Sequence, residues 1–210
     1  CFKLYSQIIN DLRDETATTI SIRQDYASIL LNADLVEHAL QEKLIIRNYY
    51  SKEKSYLSLT YTESDIAYLY SKLEMFREAE LHYQKAISAA KKWGKYFAIG
   101  STYNSVGVFY KEQNKANKAL EYFDKALSII EEQPLLKRRD SVLIGYVLGN
   151  SGSAYYQLGD TRKAIEHLQK DIRINTNCKE YLSMINASLE LADVYIKEDQ
   201  YRNAIKALDA

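Results

Sequence analysis

A pattern of three residues recurs along this chain and constrains its fold more than any other feature. A small residue is followed three positions later by a large one, and nine positions after that by an alanine. The small residues fall at positions 27, 67, 107, 152 and 192, so consecutive copies are 40, 40, 45 and 40 residues apart. Such regular self-similarity predicts stacked repeats, and it argues against a glycine-rich phosphate loop around Gly149 and Gly152. The clearest copies are Ala67-Tyr70-Ala79, Gly107-Tyr110-Ala119, Gly152-Tyr155-Ala164 and Ala192-Tyr195-Ala204, and a weaker one is Ala27-Leu30-Ala39.

Each copy contains two helical patterns. In the stretch 100–113, Tyr103, Val106 and Tyr110 recur at the spacing of one packed helix face. The stretch that follows carries a similar apolar stripe, formed by Ala116, Ala119, Leu120, Phe123, Leu127 and Ile130. We therefore predict a pair of amphipathic helices in each unit.

The residues between the two patterns are suited to tight turns. In the unit that spans 148–171, Gly159 is suited to the left-handed conformation that ends a helix, and Asp160 is suited to cap the next one. Gln113-Asn114-Lys115 occupies the corresponding place one unit earlier. The small residues of the pattern have a mechanical role, because antiparallel helices joined by short turns approach closely only where side chains are small.

Composition agrees with a helical fold and excludes several kinds of partner. The chain has one proline and seven glycines, too few for a turn-rich β-sandwich or barrel. Acidic and basic residues balance at 28 each, so no net charge attracts nucleic acid or an anionic membrane. The basic run Lys137-Arg138-Arg139 precedes Asp140 and is interpreted as a solvated loop. No apolar run approaches the ~20 residues needed to cross a bilayer.

At these positions the chain resembles the tetratricopeptide repeat, whose pattern runs W-x2-L-G-x2-Y…A-x3-F…A…P. The resemblance covers about residues 20–210 and is strong in four units. The usual period of that family is about 34 residues, so this chain is most similar to the long-period repeats of bacterial regulators and kinesin light chains. The best match is Tyr103, Val106, Gly107, Tyr110, Ala119, Phe123 and Ala126.

The resemblance implies an all-α fold, a right-handed α-solenoid (superhelix) of tetratricopeptide-like helix hairpins forming a single domain over residues 1–210. Residues 1–15 are expected to form the second helix of a preceding unit or a cap, with Phe2, Tyr5 and Ile8 on one stripe. The last unit is expected to be truncated. The successive units are expected at 20–59, 60–99, 100–144, 145–184 and 185–210.

In the family, the concave face is lined by the first helix of each pair and binds peptides or partner helices. Asn amides can bond to a peptide backbone, and Tyr adds apolar area with a polar tip. The alternative for each residue is packing against a neighbouring helix. Carried over by alignment, the binding residues are Tyr61, Ser64, Tyr68, Asn104, Val108, Lys111, Tyr146, Asn150, Ser153, Tyr156, Asn186 and Asp193.

Two kinds of family ligand can be compared with these positions. Chaperone adaptors bind a C-terminal carboxylate through paired Lys, Asn and Arg residues, and the required cations are absent here. A groove like that of bacterial peptide-pheromone receptors, where asparagines hold the peptide backbone, is compatible with Asn104, Asn150 and Asn186.

Asp171 stands where the family places a small residue at the seam between helices, as Ala86 and Ala126 do. A carboxylate buried there without partners would cost several kcal/mol. The favoured interpretation is that the seam loosens and Asp171 reaches water. The alternative is that it meets Asn186 or Ser188 of the next unit and forms a polar, adjustable joint.

Nothing in the sequence indicates catalysis, a cofactor or a metal site. His82 and His167 occupy equivalent places in their units and are interpreted as surface residues on the outer side of second helices, and His38 is the third histidine. Metalloprotease, Walker-type and nucleophile-elbow motifs are absent. Cys1 and Cys178 form no disulfide framework, and Cys178 is interpreted as a structural thiol.

We therefore predict a non-catalytic protein- or peptide-binding module, the sensory or regulatory part of a larger bacterial signalling protein such as a transcriptional regulator or sensor kinase. Two alternatives remain open: a scaffold or self-association module, and a phosphatase-type regulator whose activity lies in another segment. Direct binding of nucleic acid and a membrane span are not expected within these residues. The default compartment is the cytoplasm, and the alternative is the periplasm or export if a signal peptide precedes Cys1.

Overall fold

The computed structural model describes residues 16–209, and over that range the chain contains α-helices and no strand. The expected helix within residues 1–15 lies outside the described range. The helices are α1 (Ala17–Asn32), α2 (Val36–Lys52), α3 (Tyr56–Lys72), α4 (Phe76–Trp93), α5 (Tyr96–Glu112), α6 (Ala116–Glu131), α7 (Arg138–Gln157), α8 (Thr161–Cys178), α9 (Tyr181–Lys197) and α10 (Tyr201–Leu208). Within the units, helices joined by short turns, such as α3 with α4 and α7 with α8, pack as antiparallel hairpins, so the predicted all-α class of helix hairpins is confirmed.

The chain divides into two compact units, the first ending at Ala98 and the second beginning at Ile99. In the first unit, a buried cluster joins α1, α2 and α3 through Leu30, Leu40 and Ile66. In the second unit, Leu168 of α8 packs with Leu191 of α9 and Ala204 of α10. Each unit therefore has its own apolar core built from neighbouring helices.

The residues of the repeated pattern lie where the helices approach most closely. The alanines of the pattern, Ala67, Ala79, Ala119 and Ala164 among them, are buried. Gly107 of α5 faces the Phe123 ring of α6 so closely that an added Cβ would lie 2.3 Å from a ring carbon. The small residue at this position is therefore required by the packing of the aromatic ring of the following helix.

The turns between helices share one backbone device. A residue with positive φ occurs in each described connection except that between α6 and α7. Left-handed φ ends a helix and lets the chain reverse within two or three residues. The predicted role of Gly159 is confirmed, with φ of 78°. The others are Asp34, Lys54, Glu74, Gly94, Asn114, Lys179 and Asp199.

Two interpretations of polar residues are wrong. His82 is not on the surface: it is 6% exposed, its Nδ1 lies 2.6 Å from Oε2 of Glu63, and its ring stacks on Tyr70. His167 is half-buried against Tyr155, with ring centroids 4.9 Å apart. The same repeat position holds Tyr122 in the intervening hairpin. In each of these hairpins, the ring at this position packs on the tyrosine of the three-residue pattern, which is Tyr70, Tyr110 or Tyr155. The packed ring is an imidazole in two hairpins and a phenol in the third.

The basic run is solvated as predicted, but it is not a loop throughout, since Lys137 precedes α7 and Arg138 begins that helix. The Arg138 guanidinium donates to the carbonyl oxygen of Cys178 at 2.6 and 3.0 Å and to Oε1 of Glu180 at 2.7 Å. These bonds tie the start of α7 to the turn that follows α8. Among the residues that the structure describes, no helix is both long enough and apolar enough to span a membrane.

Candidate functional site

The first helices of the three hairpins in the second unit carry polar side chains that touch across helices. Asn150 of α7 donates to Oδ1 of Asn104 on α5 at 3.2 Å. Its own Oδ1 accepts from Nζ of Lys111 on α5 at 2.9 Å. We call Asn104, Lys111 and Asn150 the polar row. All three were predicted as binding residues, and none of them is buried.

A second set of contacts joins α7 to α9. The Ser153 hydroxyl donates to Oε2 of Glu190 at 2.9 Å, and the Ser183 hydroxyl donates to the Tyr146 hydroxyl at 2.9 Å. The ammonium of Lys197 lies 5.0 Å from the centre of the Tyr156 ring, within cation–π distance. Thus Tyr146, Ser153 and Tyr156, all predicted, contact residues of the next first helix.

Between these contacts a cavity of about 160 Å³ opens, which we call the Asp171 cavity. It mixes phenol, amide, hydroxyl and carboxyl groups, so it can accept and donate several hydrogen bonds. Gly149 contributes a wall without a side chain. The lining residues are Tyr146, Gly149, Asn150, Asp171, Ser183, Asn186, Ala187 and Glu190.

Asp171 does not extend into water, so the favoured interpretation of this residue is wrong. Asp171 is 5% exposed, and its Oδ1 accepts a hydrogen bond from Nδ2 of Asn175 on the same helix. Ser188 is not its partner, since the Ser188 hydroxyl has no hydrogen-bond partner among the described residues. The side chain fits because a Cβ at position 149 would lie 2.4 Å from Asp171 Oδ2. Asn186 lines the same cavity.

Burial raises the pKa of the Asp171 carboxyl to about 7, and the nearby charge of Glu190 raises it further in the same direction. Burial also lowers the pKa of Lys111, and the nearby negative charges of Glu190 and Glu112 partly offset this lowering. Glu190 therefore influences both the polar row and the Asp171 cavity. Near neutral pH, the cavity can hold a proton on Asp171 or release it.

The predicted residues of the first unit are arranged differently. Tyr61 and Tyr68 of α3 are 46% and 40% exposed, and Ser64 donates to the carbonyl oxygen of Thr60 in its own helix. Tyr68 lines a cavity of about 150 Å³ that also contains the ion pair of Lys43 and Asp65. Here tyrosine rings, rather than amides, dominate the exposed surface of the first helix.

Three other residues were predicted to bind a ligand, and two residues near the site were not predicted. Val108 is half-buried, while Asn186 and Asp193 are exposed. Ser183 and Glu190 were not predicted, although both contact predicted residues. Glu190 stands one 40-residue interval after Asn150, so extending the repeat register from Asn150 would have found it. Ser183 has no such signal, because its contact depends on the length of the Tyr146 side chain.

No cluster of three or more His, Cys, Asp or Glu side chains suited to a metal ion occurs over residues 16–209.

Comparison with solved structures identifies the fold. Repeats of a kinesin light chain from Podosopora anserina align with a TM-score of 0.70 at 16% identity, covering 93% of this chain and 94% of theirs. The apo quorum sensor NprR from B. thuringiensis aligns with a TM-score of 0.74 at 18% identity, covering 99% of this chain and 56% of its own. NprR with its cognate peptide NprX aligns with a TM-score of 0.69 at 18% identity, covering 98% and 58%. The chain thus spans little more than half the length of NprR.

No curated protein matches the sequence. A sequence profile described as tetratricopeptide repeat matches residues 56–132 and 98–177, which together include more than half of the chain. The matched segments contain the copies of the pattern at 67, 107 and 152 together with their paired helices. The chain therefore belongs to the tetratricopeptide repeat family.

Proposed function

We propose that this protein is a peptide-binding regulatory module and that its site in the second unit is the polar row together with the Asp171 cavity. The observation that carries the proposal is the hydrogen-bonded contact of Asn104, Asn150 and Lys111 across two first helices. Amide side chains fixed in this way are pre-organised, so a ligand loses little affinity to ordering them.

The chemistry of the row suits a peptide backbone. Asn150 uses one N–H donor and its carbonyl oxygen within the protein, which leaves one N–H donor and a lone pair for a ligand. A peptide unit offers a complementary acceptor and donor. The Lys111 ammonium and the Glu190 carboxylate, which interact electrostatically, favour a peptide that carries groups of both signs of charge.

The structural relatives agree with this class of ligand. NprR, to which this chain is similar in fold, is a quorum sensor with a cognate peptide, NprX. By analogy, we propose that the present chain is the sensory or regulatory part of a larger bacterial signalling protein. In the first unit, the exposed rings of the predicted residues Tyr61 and Tyr68 would supply aromatic contacts to the same class of ligand, with the predicted Ser64 one turn from each of them.

A selection with random linear heptapeptides displayed on phage, applied to the 210-residue chain, tests the proposal. Selected peptides are then synthesised and titrated by calorimetry. We expect Asn150→Ala to weaken binding about tenfold or more, because about 1.4 kcal/mol is one order of magnitude in affinity and the change removes one or two hydrogen bonds.

The matched control is Asn117→Ala, which removes the same amide from an exposed position on α6. We expect this variant to bind like the parent. Selection of no peptide, or equal binding by the parent and Asn150→Ala, would refute the site. A chain that binds no peptide but whose light-scattering mass grows with concentration would instead support a self-association module.

A further inference from the structure

A third cavity, of about 200 Å³, lies in the first unit between α2, α3 and α4, and it differs in charge from the Asp171 cavity. We call it the basic cavity. Three cationic side chains and three hydroxyl groups line it, together with one carboxylate and two apolar residues. The lining residues are Arg47, Ser51, Tyr56, Leu59, Glu63, Lys85, Ser88, Ala89 and Lys92.

The carboxylate of this cavity already has partners of its own. Oε2 of Glu63 lies 2.6 Å from Nδ1 of the buried His82, and Oε1 lies 3.7 Å from Nε of Arg47. Glu63 is therefore held at the base of the cavity, with Arg47 as its closest cation.

The positive charges of Lys85 and Lys92 are not neutralised by a carboxylate in the way that Arg47 is by Glu63. Over residues 16–209, neither Lys85 nor Lys92 makes an ion pair with an acidic side chain. Lys92 lies over the Tyr56 ring, with its Nζ 5.6 Å from the ring centre, which limits where its ammonium can move. The lysine pair thus leaves an excess of positive charge at the cavity.

The cavity lies at the start of α3 and beside the last turns of α2 and α4, which contain Ser51 and Lys92 and carry a partial negative charge that offsets that of the α3 start. Tyr56 is the first residue of α3, and the N-cap residue Ser55 makes no side-chain capping bond. The first turn of a helix carries unpaired N–H groups and a partial positive charge. Hydroxyls of Ser51 and Ser88 supply further donors close by.

We propose that the basic cavity binds a phosphate group, either free phosphate or a phosphomonoester. A tetrahedral dianion with several equivalent oxygens can bond to ammonium, guanidinium and hydroxyl donors arranged around it, and it offsets the uncompensated lysines. The site is separate from the polar row and does not depend on peptide binding there.

Calorimetric titration of the 210-residue chain with inorganic phosphate, at pH 7.5 and constant ionic strength, tests this proposal. We expect saturable binding that weakens at least fivefold in Lys92→Gln. Lys92 is exposed, so this variant keeps the fold. Lys85→Gln is a second variant with the same expected loss, and circular dichroism confirms that each variant is helical.

The matched control is Lys91→Gln, which removes the same charge from an exposed neighbour that does not line the cavity. An absence of saturable binding, or an equal loss in Lys91→Gln and Lys92→Gln, would overturn the proposal. A phosphoserine heptapeptide and its unphosphorylated form distinguish the sources. Binding of the phosphopeptide that is tighter than that of both phosphate and the unphosphorylated peptide indicates a phosphorylated chain, and equal binding of phosphopeptide and phosphate indicates free phosphate.

Discussion

The hairpins α5–α6 and α7–α8 carry the same repeat but fill the seam between their helices with opposite chemistry. In the first, Gly100 faces Ile130, and an added Cβ would lie 2.8 Å from an Ile130 side-chain carbon. In the second, 45 residues later, Gly145 faces Asn175, and an added Cβ would lie 3.0 Å from its Nδ2. Ile130 and Asn175 are both 0% exposed.

One helical turn away on the second helix of each hairpin, an apolar residue in α5–α6 again corresponds to a polar residue in α7–α8. Ala126 of α6 corresponds to Asp171 of α8, and Asn104 of α5 corresponds to Gly149 of α7. The larger carboxyl side chain on one helix is matched by the loss of a side chain on the other. Close packing requires such an exchange, because a protein interior leaves little spare volume.

The two hairpins therefore differ less in the volume that fills the seam than in its polarity. The polar seam has a cost: Asn175 Oδ1 has no hydrogen-bond partner among the described residues, and the Asp171 carboxyl is held partly protonated near pH 7. It also has a consequence, since Asp171 and Asn150 come to line one cavity. Stability is thereby given up beside the proposed binding site.

The largest expected effect comes from making the apolar seam polar with Ile130→Asn. The change removes a fully buried side chain and leaves an amide without partners, so we expect unfolding free energy to fall by about 3–5 kcal/mol. Urea denaturation of Ser128→Asn, at an exposed position of the same helix, is the control. A loss below about 1 kcal/mol would show that both seams tolerate polar groups equally.

The reverse exchange, Asp171→Ala with Asn175→Ile, gives α8 the two seam side chains that α6 carries. The folded-state pKa of Asp171 is raised to about 7 from the ordinary 3.8, so the folded parent keeps a proton that the unfolded chain releases. Parent stability therefore falls as pH rises from about 4 to 7. We expect the double variant to be more stable, with an advantage that grows by about 2–3 kcal/mol between pH 5 and pH 8.

Denaturation of both proteins at several pH values measures this advantage. Asp124→Asn, which removes an exposed carboxylate from α6, is the control and should show no such growth. A constant difference between the double variant and the parent from pH 5 to pH 8 would mean that Asp171 is ionised throughout. Burial of its carboxyl would then not make the stability of the parent depend on pH in this range.

The smallest expected effect concerns the turns of the two hairpins. Asp160 caps α8 by accepting from the Lys163 backbone N–H at 3.1 Å, whereas Lys115 at the start of α6 makes no capping bond. Lys115→Asn should raise the unfolding free energy by about 0.5–1 kcal/mol, because Asn is a good N-cap residue. Lys115→Gln removes the same charge without a short capping side chain, and an equal gain there would refute the explanation.

Much of the fold was predictable because the repeat fixes the spacing of small and large residues. The helix pairs, the turn at Gly159 and the capping role of Asp160 follow from local preferences, which a short stretch of sequence records. The burial of His82 was not predictable in this way. Histidine is a polar residue type, and the Glu63 side chain to which His82 is hydrogen-bonded lies 19 positions away in the chain.

The candidate site divides similarly. Tyr146, Asn150 and Asn186 were placed by repeat register, and the structure brings them to one cavity. Ser183 was missed, because register gives a position on a helix but not how far a neighbouring side chain reaches. Whether these residues bind a ligand stays a prediction that the peptide selection tests.

By itself, the sequence determined that this protein is a series of helix hairpins, since helix periodicity and the spacing of alanine and glycine are local properties of the chain. Only the tertiary structure decided which polar residues are buried and what they do there. Burial, charge proximity and the pKa of Asp171 depend on groups from α7 and α9 that meet α8 only after folding.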